Sequence, residues 1–240
     1  MIAVKNISKI YPGSETKAVD SISFELKSGQ IGCLIGTSGC GKTTTLKMVN
    51  RLIEPTAGTI EVGNRKSSDI NPVDWRRKIG YVVQKAGLLP HFTIEKNISI
   101  LSLILKKDPV TIKKRIQELM ELIELPYHEF ASRYPRELSG GQQQRVGIAR
   151  ALMEDPEVLL MDEPFGALDP ITKKSLHEEI LRLNKLLGKT ILIVTHDMNE
   201  AFKLGDKVFL MDQGKIIQSG NKQDFTEQPA NEFVSSFLKD

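Results

Sequence analysis

The chain has 240 residues, of which 40% are hydrophobic and 26% are charged, and its net charge at pH 7 is +3. This composition supports a buried core and excludes a disordered chain, a collagen and a disulfide-stabilised miniprotein. The low net charge and the 6% aromatic content also argue against a dedicated nucleic-acid binder. The best apolar run, residues 98–105, is too short to span a membrane, and the N-terminus lacks a signal-peptide pattern. Because the two cysteines, Cys33 and Cys40, do not make a disulfide framework, we expect a soluble cytoplasmic protein.

The hydrophobic pattern predicts strands and helices that alternate along the chain, with a helical segment in the middle. Strands are predicted at residues 22–26, 31–35, 79–83, 158–161, 190–194 and 207–211. Helices are predicted at residues 42–53, at 112–123, from after Gly141 to about Asp155, and along the Leu176–Leu187 stripe that Gly188 closes. Alternating strands and helices are typical of a parallel sheet covered on both faces. We therefore expect one α/β domain, with a core of residues 1–84 and 157–240 and a helical insertion at residues 85–156.

A glycine-rich loop separates the strand at 31–35 from the helix at 42–53. It matches the pattern G-x-x-x-x-G-K-[ST] through Gly36, Thr37, Ser38, Gly39, Cys40, Gly41, Lys42 and Thr43. Glycines let successive backbone amides converge on phosphate oxygens, at the positive end of the helix dipole. Lys42 is expected to reach the β- and γ-phosphates, and the Thr43 hydroxyl to bind Mg²⁺. Cys40 is interpreted as a tolerated small residue, with a redox role as the lesser alternative.

Two acidic residues follow the predicted strand at 158–161. In an open parallel sheet the carboxyl ends of the strands face the ligand. We therefore expect Asp162 to hold Mg²⁺ and Glu163 to act as general base toward the attacking water. Taken alone, the pair could equally be a solvated turn before Pro164.

A second glycine-rich helix start follows about one hundred residues later, at Ser139, Gly140, Gly141 and Gln142. Serine is a preferred N-cap, so ordinary helix capping is one interpretation. Two consecutive glycines also expose backbone amides at a helix N-terminus, which favours a second anion site.

Residues 138–142 read LSGGQ and resemble the signature of the ATP-binding-cassette (ABC) ATPases. The resemblance covers essentially the whole chain, since the characteristic motifs occur in order. It implies a P-loop NTPase with a RecA-like parallel-sheet core, an N-terminal antiparallel β-subdomain and an inserted helical subdomain. It also implies that Tyr11 stacks on adenine, that Thr44 joins the nucleotide contacts, and that Gln84 senses Mg²⁺ and the γ-phosphate. Ala167, Leu168 and Asp169 resemble the D-loop at a dimer seam, and His196 resembles the switch histidine.

Each of these motif residues also has a structural interpretation when taken alone. Tyr11 could pack a turn, Gln84 could simply end a strand, and His196 could be a capping histidine. His91, His128 and His177 have no metal-ligand spacing and are interpreted as structural.

The resemblance implies a head-to-tail dimer in which ATP lies between the phosphate loop of one chain and Ser139, Gly140, Gly141 and Gln142 of the other. Its expected cofactors are ATP and Mg²⁺. Its expected partners are membrane permeases docking near residues 85–92 and an extracytoplasmic substrate-binding protein, with no nucleic acid. The chain would then work at the cytoplasmic face of the membrane, although residues 85–92 could instead only pack under the insertion.

Several segments resemble one branch of the family, the importers of glycine betaine, carnitine and choline. They are residues 35–44, 48–55, 75–84 and 161–172. Many ATPases of that branch carry regulatory CBS domains. Since this chain ends at Asp240, after a segment with room for one helix, we expect none. Import of sulfonates, nitrate or amino acids stays open as an alternative, and a soluble non-transport ABC ATPase or a nucleotide kinase is less favoured.

Overall fold

The computed structural model describes residues 1–166 and 168–238. Its strands are β1 (Ile2–Ile10), β2 (Lys17–Leu26), β3 (Ile31–Gly36), β4 (Ala57–Val62), β5 (Arg65–Lys66), β6 (Ile79–Val82), β7 (Val158–Asp162), β8 (Thr190–Val194), β9 (Lys207–Asp212) and β10 (Lys215–Gly220). Its helices are α1 (Lys42–Val49), α2 (Pro72–Arg77), α3 (Ile94–Ile104), α4 (Pro109–Leu122), α5 (Tyr127–Phe130), α6 (Gly140–Leu152), α7 (Pro170–Leu187), α8 (Met198–Leu204), α9 (Lys222–Glu227) and α10 (Glu232–Phe237).

These strands form two sheets. The N-terminal sheet is antiparallel, with the order β2-β1-β4-β5, and the larger sheet has the order β10-β9-β3-β8-β7-β6. In the larger sheet β9, β3, β8, β7 and β6 are parallel, and β10 pairs antiparallel at one edge. Helices α3 to α6 follow one another between β6 and β7. The expected α/β fold, with a parallel core and an N-terminal antiparallel sheet, is confirmed.

The parallel sheet is buried on both faces, as the apolar strands predicted. In β3, Cys33 and Ile35 pack into a core shared with α3, α4, α6 and α7, whereas Leu34 packs into the core shared with the antiparallel sheet. Side chains alternate between faces along a strand, so each central strand contributes to both cores. Within the described residues, no helix is long and apolar enough to cross a membrane.

Several predicted boundaries agree with the structure, whereas β2 and α4 begin earlier than predicted and the predicted ends of two helices are wrong. Strand β8 spans the predicted residues, and Gly188 ends α7 in the left-handed conformation with φ +61°. Helix α1 ends at Val49, not at residue 53, because Arg51 takes a left-handed φ of +50° and its guanidinium donates to the carbonyls of Ser67 and Ile70. Helix α6 begins at Gly140 and ends at Leu152, three residues before Asp155, which has φ +52°.

The strand order determines where the polar motifs meet. Along the sheet β3, β8, β7 and β6 are neighbours, and each ends at the same edge because they are parallel. The phosphate loop follows β3, the pair Asp162 and Glu163 ends β7, Gln84 follows β6, and His196 follows β8. Side chains that are far apart in sequence are therefore brought to one edge.

Candidate functional site

The phosphate loop, residues 36–43, turns between β3 and α1, and the glycines at its two ends have no space for a side chain. Gly36 has φ +144°, and a Cβ there would lie 2.0 Å from the Met211 carbonyl oxygen. Gly41 has φ +104°, and its Cβ would lie 2.5 Å from the Ala18 carbonyl oxygen. Both positions therefore need glycine for conformation and for close approach to a neighbouring strand.

Lys42 lies buried at the first position of α1 and is held by the loop itself. Its Nζ donates to the carbonyl oxygens of Gly36, at 2.9 Å, and Thr37, at 2.8 Å. The Cys40 Sγ lies 3.6 Å from the same nitrogen. A positive charge is therefore fixed at the base of the loop, where phosphate would lie.

A cavity of about 200 Å³ lies above the phosphate loop. Its lining residues are Ser38, Gly39, Gly41, Lys42, Thr43, Thr44 and Glu163. The cavity therefore joins the loop to the carboxylate expected to act as general base.

Oxygen ligands converge beside the loop. The Thr43 hydroxyl donates to Asp162 Oδ1 at 2.9 Å, and the Tyr81 hydroxyl donates to Asp162 Oδ2 at 3.4 Å. Burial, with the nearby Asp162 charge, raises the pKa of Tyr81, so the phenol stays protonated and donates. A hydroxyl and a carboxylate suit a hard cation such as Mg²⁺. Among the described residues, no cluster of three or more His, Cys, Asp or Glu could hold a metal unaided.

Sequence reasoning missed Tyr81. Its one signal is its place on a predicted strand three residues before Gln84, and this does not indicate a contact with Asp162. Only the pairing of β6 with β7 brings the two side chains together.

Glu163 lies at the edge of the parallel sheet where β3, β6, β7 and β8 end. Gln84 Nε2 donates to Glu163 Oε2 at 2.9 Å, and His196 Nδ1 lies 3.6 Å from the same oxygen. The Glu163 backbone has φ +46°, and its amide donates to the Val194 carbonyl at 2.9 Å, which ties the residue to β8. A left-handed non-glycine residue is strained and is often found at functional sites. The structure thus brings three of the predicted catalytic residues together.

Tyr11 lies beside the loop with its ring partly exposed. Its hydroxyl is hydrogen-bonded to the Thr44 hydroxyl at 3.3 Å, and Lys9 Nζ lies 5.5 Å from the ring centre. The ring therefore lies partly exposed at the edge of the phosphate loop, and its contact with adenine, which the resemblance implies, stays a prediction.

The second glycine motif begins α6. The Ser139 hydroxyl accepts from the Gln142 amide, and Gln142 Oε1 accepts from the Ser139 amide, so the two residues form a capping box. The first helical hydrogen bond is donated by the Gln143 amide to the Ser139 carbonyl, which leaves the Gly140 and Gly141 amides ahead of it without an acceptor in the helix. Among the described residues, the cavity above the phosphate loop has no lining from 139–142.

The D-loop resemblance covers Ala167, Leu168 and Asp169, of which Ala167 lies outside the described residues. Asp169 is the N-cap of α7, and its Oδ1 accepts from the amides of Ile171 and Thr172, each at 3.1 Å. Hydrogen bonds from Thr172 hold the pKa of Asp169 below its ordinary value. The carboxylate thus already has a structural role in this chain.

Residues 85–92, the predicted permease contact, are fastened by two polar side chains that sequence reasoning missed. Arg150 of α6 donates to the carbonyls of Ala86, at 2.5 Å, and Gly87, at 2.7 Å. Asn97 of α3 exchanges hydrogen bonds with Leu89 and donates to the Phe92 carbonyl. Leu88 packs against the core, so the segment is fixed to the helical region while much of its surface stays accessible.

Comparison with known proteins places this geometry in a family. Residues 19–166 match the family model of the ABC transporter. The chain is 51% identical over 238 residues to the choline transport ATP-binding protein OpuBA of Bacillus subtilis, covering 99% of this chain and 62% of that protein. It is 46% identical to the osmoprotectant import ATP-binding protein OsmV of Salmonella typhimurium, covering 99% of this chain and 63% of that one. The chain therefore spans about three fifths of the length of these relatives.

Solved structures agree with the sequence relatives. A dimeric post-hydrolysis state of the ATP-binding cassette MJ0796, bound to ADP and Pi, matches with a TM-score of 0.81 and 35% identity over 92% of this chain and 98% of that one. CbiO1 from Clostridium perfringens, part of an ABC transporter complex, matches with a TM-score of 0.87 and 27% identity over 95% of this chain and 91% of that one. The chain belongs to the ABC transporter family and has the fold of its ATP-binding cassette.

Proposed function

We propose that this protein is the ATP-hydrolysing subunit of an importer for small quaternary amines such as glycine betaine, carnitine and choline. The observation that carries the catalytic part is the position of Glu163. Its carboxylate lines the cavity above the phosphate loop, receives a hydrogen bond from Gln84, and lies 3.6 Å from His196. The proposed cargo rests on relatives that are 46% to 51% identical and that are described as choline and osmoprotectant transport ATP-binding proteins.

ATP would bind with its phosphates on the backbone amides of residues 36–43 and its adenine against Tyr11. Lys42 already points its charge into the loop, and it would exchange its carbonyl contacts for the β- and γ-phosphates. Gly39, with φ +78° and open space around its Cβ position, leaves the loop accessible to a phosphate.

The donor set fits Mg²⁺, since Thr43 and Asp162 present oxygen atoms 2.9 Å apart at the mouth of the loop and Gln84 lies against Glu163. When bound, Mg²⁺ would neutralise charge developing on the phosphates. Thr43, Asp162 and Gln84 are the residues that would hold it.

Hydrolysis would be an in-line attack by water, with Glu163 accepting the proton and His196 contacting the γ-phosphate. Gln84 orients the Glu163 carboxylate by donating to one of its oxygens, which leaves the other free for water. Positioning and electrostatics would supply most of the rate increase.

A complete site would need a second copy of the chain, because the Gly140 and Gly141 amides lie outside the cavity of their own phosphate loop. Those amides, together with the Ser139 hydroxyl, would bind the γ-phosphate held by the partner. Membrane permeases would dock at residues 85–92 on the cytoplasmic face, and a substrate-binding protein would deliver the cargo outside.

The test of catalysis is Glu163→Gln, which keeps the shape and loses the base. We expect the ATPase rate of the purified protein to fall about 10²- to 10⁴-fold while nucleotide affinity is retained. The matched control is Glu178→Gln, which makes the same substitution at an exposed position on α7. A Glu163→Gln rate within threefold of wild type would contradict the assignment.

The test of cargo is uptake of radiolabelled glycine betaine at high external osmolarity, with choline and carnitine as competitors. Uptake should disappear when the gene is deleted from a strain that has no duplicate importer. The wild-type gene should restore it and the Glu163→Gln copy should not. Unchanged uptake in the deletion strain would overturn the cargo and leave the ATPase proposal standing.

A further inference from the structure

The segment that carries His196 is very short. Only Thr195 and His196 separate the end of β8 from Asp197, the N-cap of α8, and we call these two residues the switch segment. The Thr195 amide donates to the Leu34 carbonyl at 3.1 Å, and the Asp197 amide donates to the Thr195 hydroxyl at 3.1 Å. His196 itself is mostly exposed, with 63% of its side chain accessible. The backbone position of His196 therefore depends on the contacts that hold its two neighbours, Thr195 and Asp197.

Thr195 is held by a buried carboxylate. Its hydroxyl donates to Glu200 Oε2, and Glu200, on α8, is only 5% exposed. A buried carboxylate is costly unless it is paired, and Lys173 Nζ lies 2.8 Å from the other oxygen, Oε1. The hydrogen bond to Glu200 raises the pKa of Lys173, so the lysine is charged at neutral pH.

Lys173 lies in the first turn of α7, and its amide donates to the carbonyl of the N-cap Asp169. Glu200 therefore connects the switch segment to the start of the helix that follows the D-loop. The two elements are separated in sequence but joined by one carboxylate.

The loop that carries Glu163 rests on the same cluster. Phe165, two residues after Glu163, is fully buried, and its ring packs edge-on against His177 of α7 with the ring centres 4.4 Å apart. His177 Nε2 lies 4.0 Å from Glu200 Oε1, and among the described residues it has no hydrogen-bond partner. Burial lowers the pKa of His177, so the ring is neutral and acts as packing.

We propose that Glu200 is a positioning residue for ATP hydrolysis, which acts through Thr195 and Lys173 to hold His196 in reach of the γ-phosphate and of Glu163. This inference rests on the proposed function and adds a residue that does not touch the nucleotide. The reason is geometric: a displacement of about 1 Å at a reacting group can cost on the order of 10²-fold in rate. Since the switch segment has two residues, a shift at Thr195 is transmitted directly to His196.

Glu200→Gln removes the charge and keeps the volume. We expect kcat for ATP hydrolysis to fall about 10- to 100-fold with KM for ATP and equilibrium affinity for MgADP within about twofold of wild type. Lys173→Met should have the same effect, because it leaves Glu200 unpaired, whereas Lys173→Arg should keep most of the rate. Loss of affinity as large as the loss of rate would overturn the proposal.

A second pair of variants avoids the buried charge. Thr195→Val has nearly the same shape but lacks the hydroxyl, and Thr195→Ser retains it. We expect Thr195→Val to lower kcat about tenfold or more and Thr195→Ser to stay within threefold. If thermal unfolding shows that Glu200→Gln does not fold, the comparison of Thr195→Val with Thr195→Ser tests the proposal instead. Equal rates for the two variants would overturn the proposal.

The sharpest measurement is a double-mutant cycle with His196→Ala. If Glu200 acts through His196, Glu200→Gln should lower the single-turnover rate by less than twofold in the His196→Ala background. If the losses of rate from the two substitutions add in full, Glu200 does not act through His196 and the proposal is wrong. The wild-type protein and the Glu163→Gln variant are measured in the same assay. A Glu163→Gln rate equal to that of wild type would reject the proposed function. A large loss of rate in Glu163→Gln, together with additive effects in the cycle, would reject only the role of Glu200.

Discussion

The two glycine-rich helix starts of this protein, at α1 and α6, are similar in sequence but are held in different ways. In the phosphate loop Lys42 is fixed by the carbonyls of Gly36 and Thr37, which lie six and five residues away. At α6 the local contacts are those of the Ser139–Gln142 capping box, and the helix behind it is held by long-range contacts. Arg145 donates to the Ile123 carbonyl at 3.0 Å and to the Ser175 hydroxyl at 3.0 Å, and its Nε lies 2.9 Å from Glu179 Oε2 of α7.

Under the proposed function, the phosphate loop and the start of α6 are the two halves of one nucleotide site, and only the first half has its charged and catalytic groups close together in one chain. The phosphate loop has a charge, a cavity and the Glu163 carboxylate within one chain. At the start of α6, Gly140 is exposed and Gly141 is buried, and the amides of both lack an acceptor in the helix. A Cβ at Gly141 would meet Thr172 of α7, so the placement of these amides depends on the packing of α6 against α7. We therefore expect substitutions at the phosphate loop to change nucleotide binding, and substitutions at α6 to change stability and the assembly of the second half of the site.

The largest expected effect is at the phosphate loop. Lys42→Ala should lower the affinity for ATP about 100-fold, because it removes charge-assisted hydrogen bonds worth about 3 kcal/mol. Lys47→Ala, at the other end of α1, should have little effect. Calorimetric titration with ATP measures both variants, and equal affinities for Lys42→Ala and wild type would contradict this interpretation of the loop.

A smaller effect is expected where α6 packs on α7. A Cβ at Gly141 would lie 2.3 Å from Thr172 Cγ2, whereas one at Gly140 would lie 3.6 Å from Leu168 Cδ2. Gly141→Ala should therefore lower the free energy of unfolding by about 2 kcal/mol, while Gly140→Ala should leave it nearly unchanged. Urea unfolding compares the pair. Similar stabilities would mean that the packing of α6 against Thr172 adapts freely.

The smallest expected effect depends on pH and concerns the Arg145–Glu179 contact. Burial raises the pKa of Glu179 to about 7, with the Arg145 charge opposing the rise, Glu124 adding to it and Arg182 opposing it. Neither Glu179 oxygen receives a well-directed hydrogen bond among the described residues, although Arg145 Nε is 2.9 Å away. Between about pH 4.5 and pH 7, Glu179 is therefore protonated in the folded state but ionised in the unfolded state.

Stability should then fall as pH rises from about 4.5 to about 7, and the contribution of Glu179 is about 1 kcal/mol between pH 6 and pH 7. Glu179→Gln should remove this slope, with Glu178→Gln as the exposed neighbouring control. Unfolding in urea at several pH values gives the difference between wild type and variant. A difference that does not change between pH 6 and pH 7 would contradict the raised pKa.

Much of the fold is predictable because its signals are local. The continuous apolar run at residues 190–194 predicts β8, and the Leu176–Leu187 stripe with Gly188 predicts α7 and its end. The end of α1 was not predictable, because it depends on Arg51 reaching the carbonyls of Ser67 and Ile70, which no local pattern indicates.

The candidate site divides in the same way. The sequence alone determined the residue types: a lysine in a glycine loop, two carboxylates after an apolar run, and a serine with two glycines at a helix start. These are local patterns with a local physical reason, since backbone amides at a helix N-terminus bind anions whatever surrounds them.

Only the tertiary structure decided which of these residues meet. Gln84 reaches Glu163 across 79 residues, and Thr43 reaches Asp162 across 119, because β6, β7, β8 and β3 are neighbours in one parallel sheet. The carbonyl of Met211 explains why position 36 must be glycine, and Glu200 has its place behind His196 because α7 and α8 pack together. Strand order and helix packing arise from burial of the whole core, and the spacing of residues along the chain does not contain them.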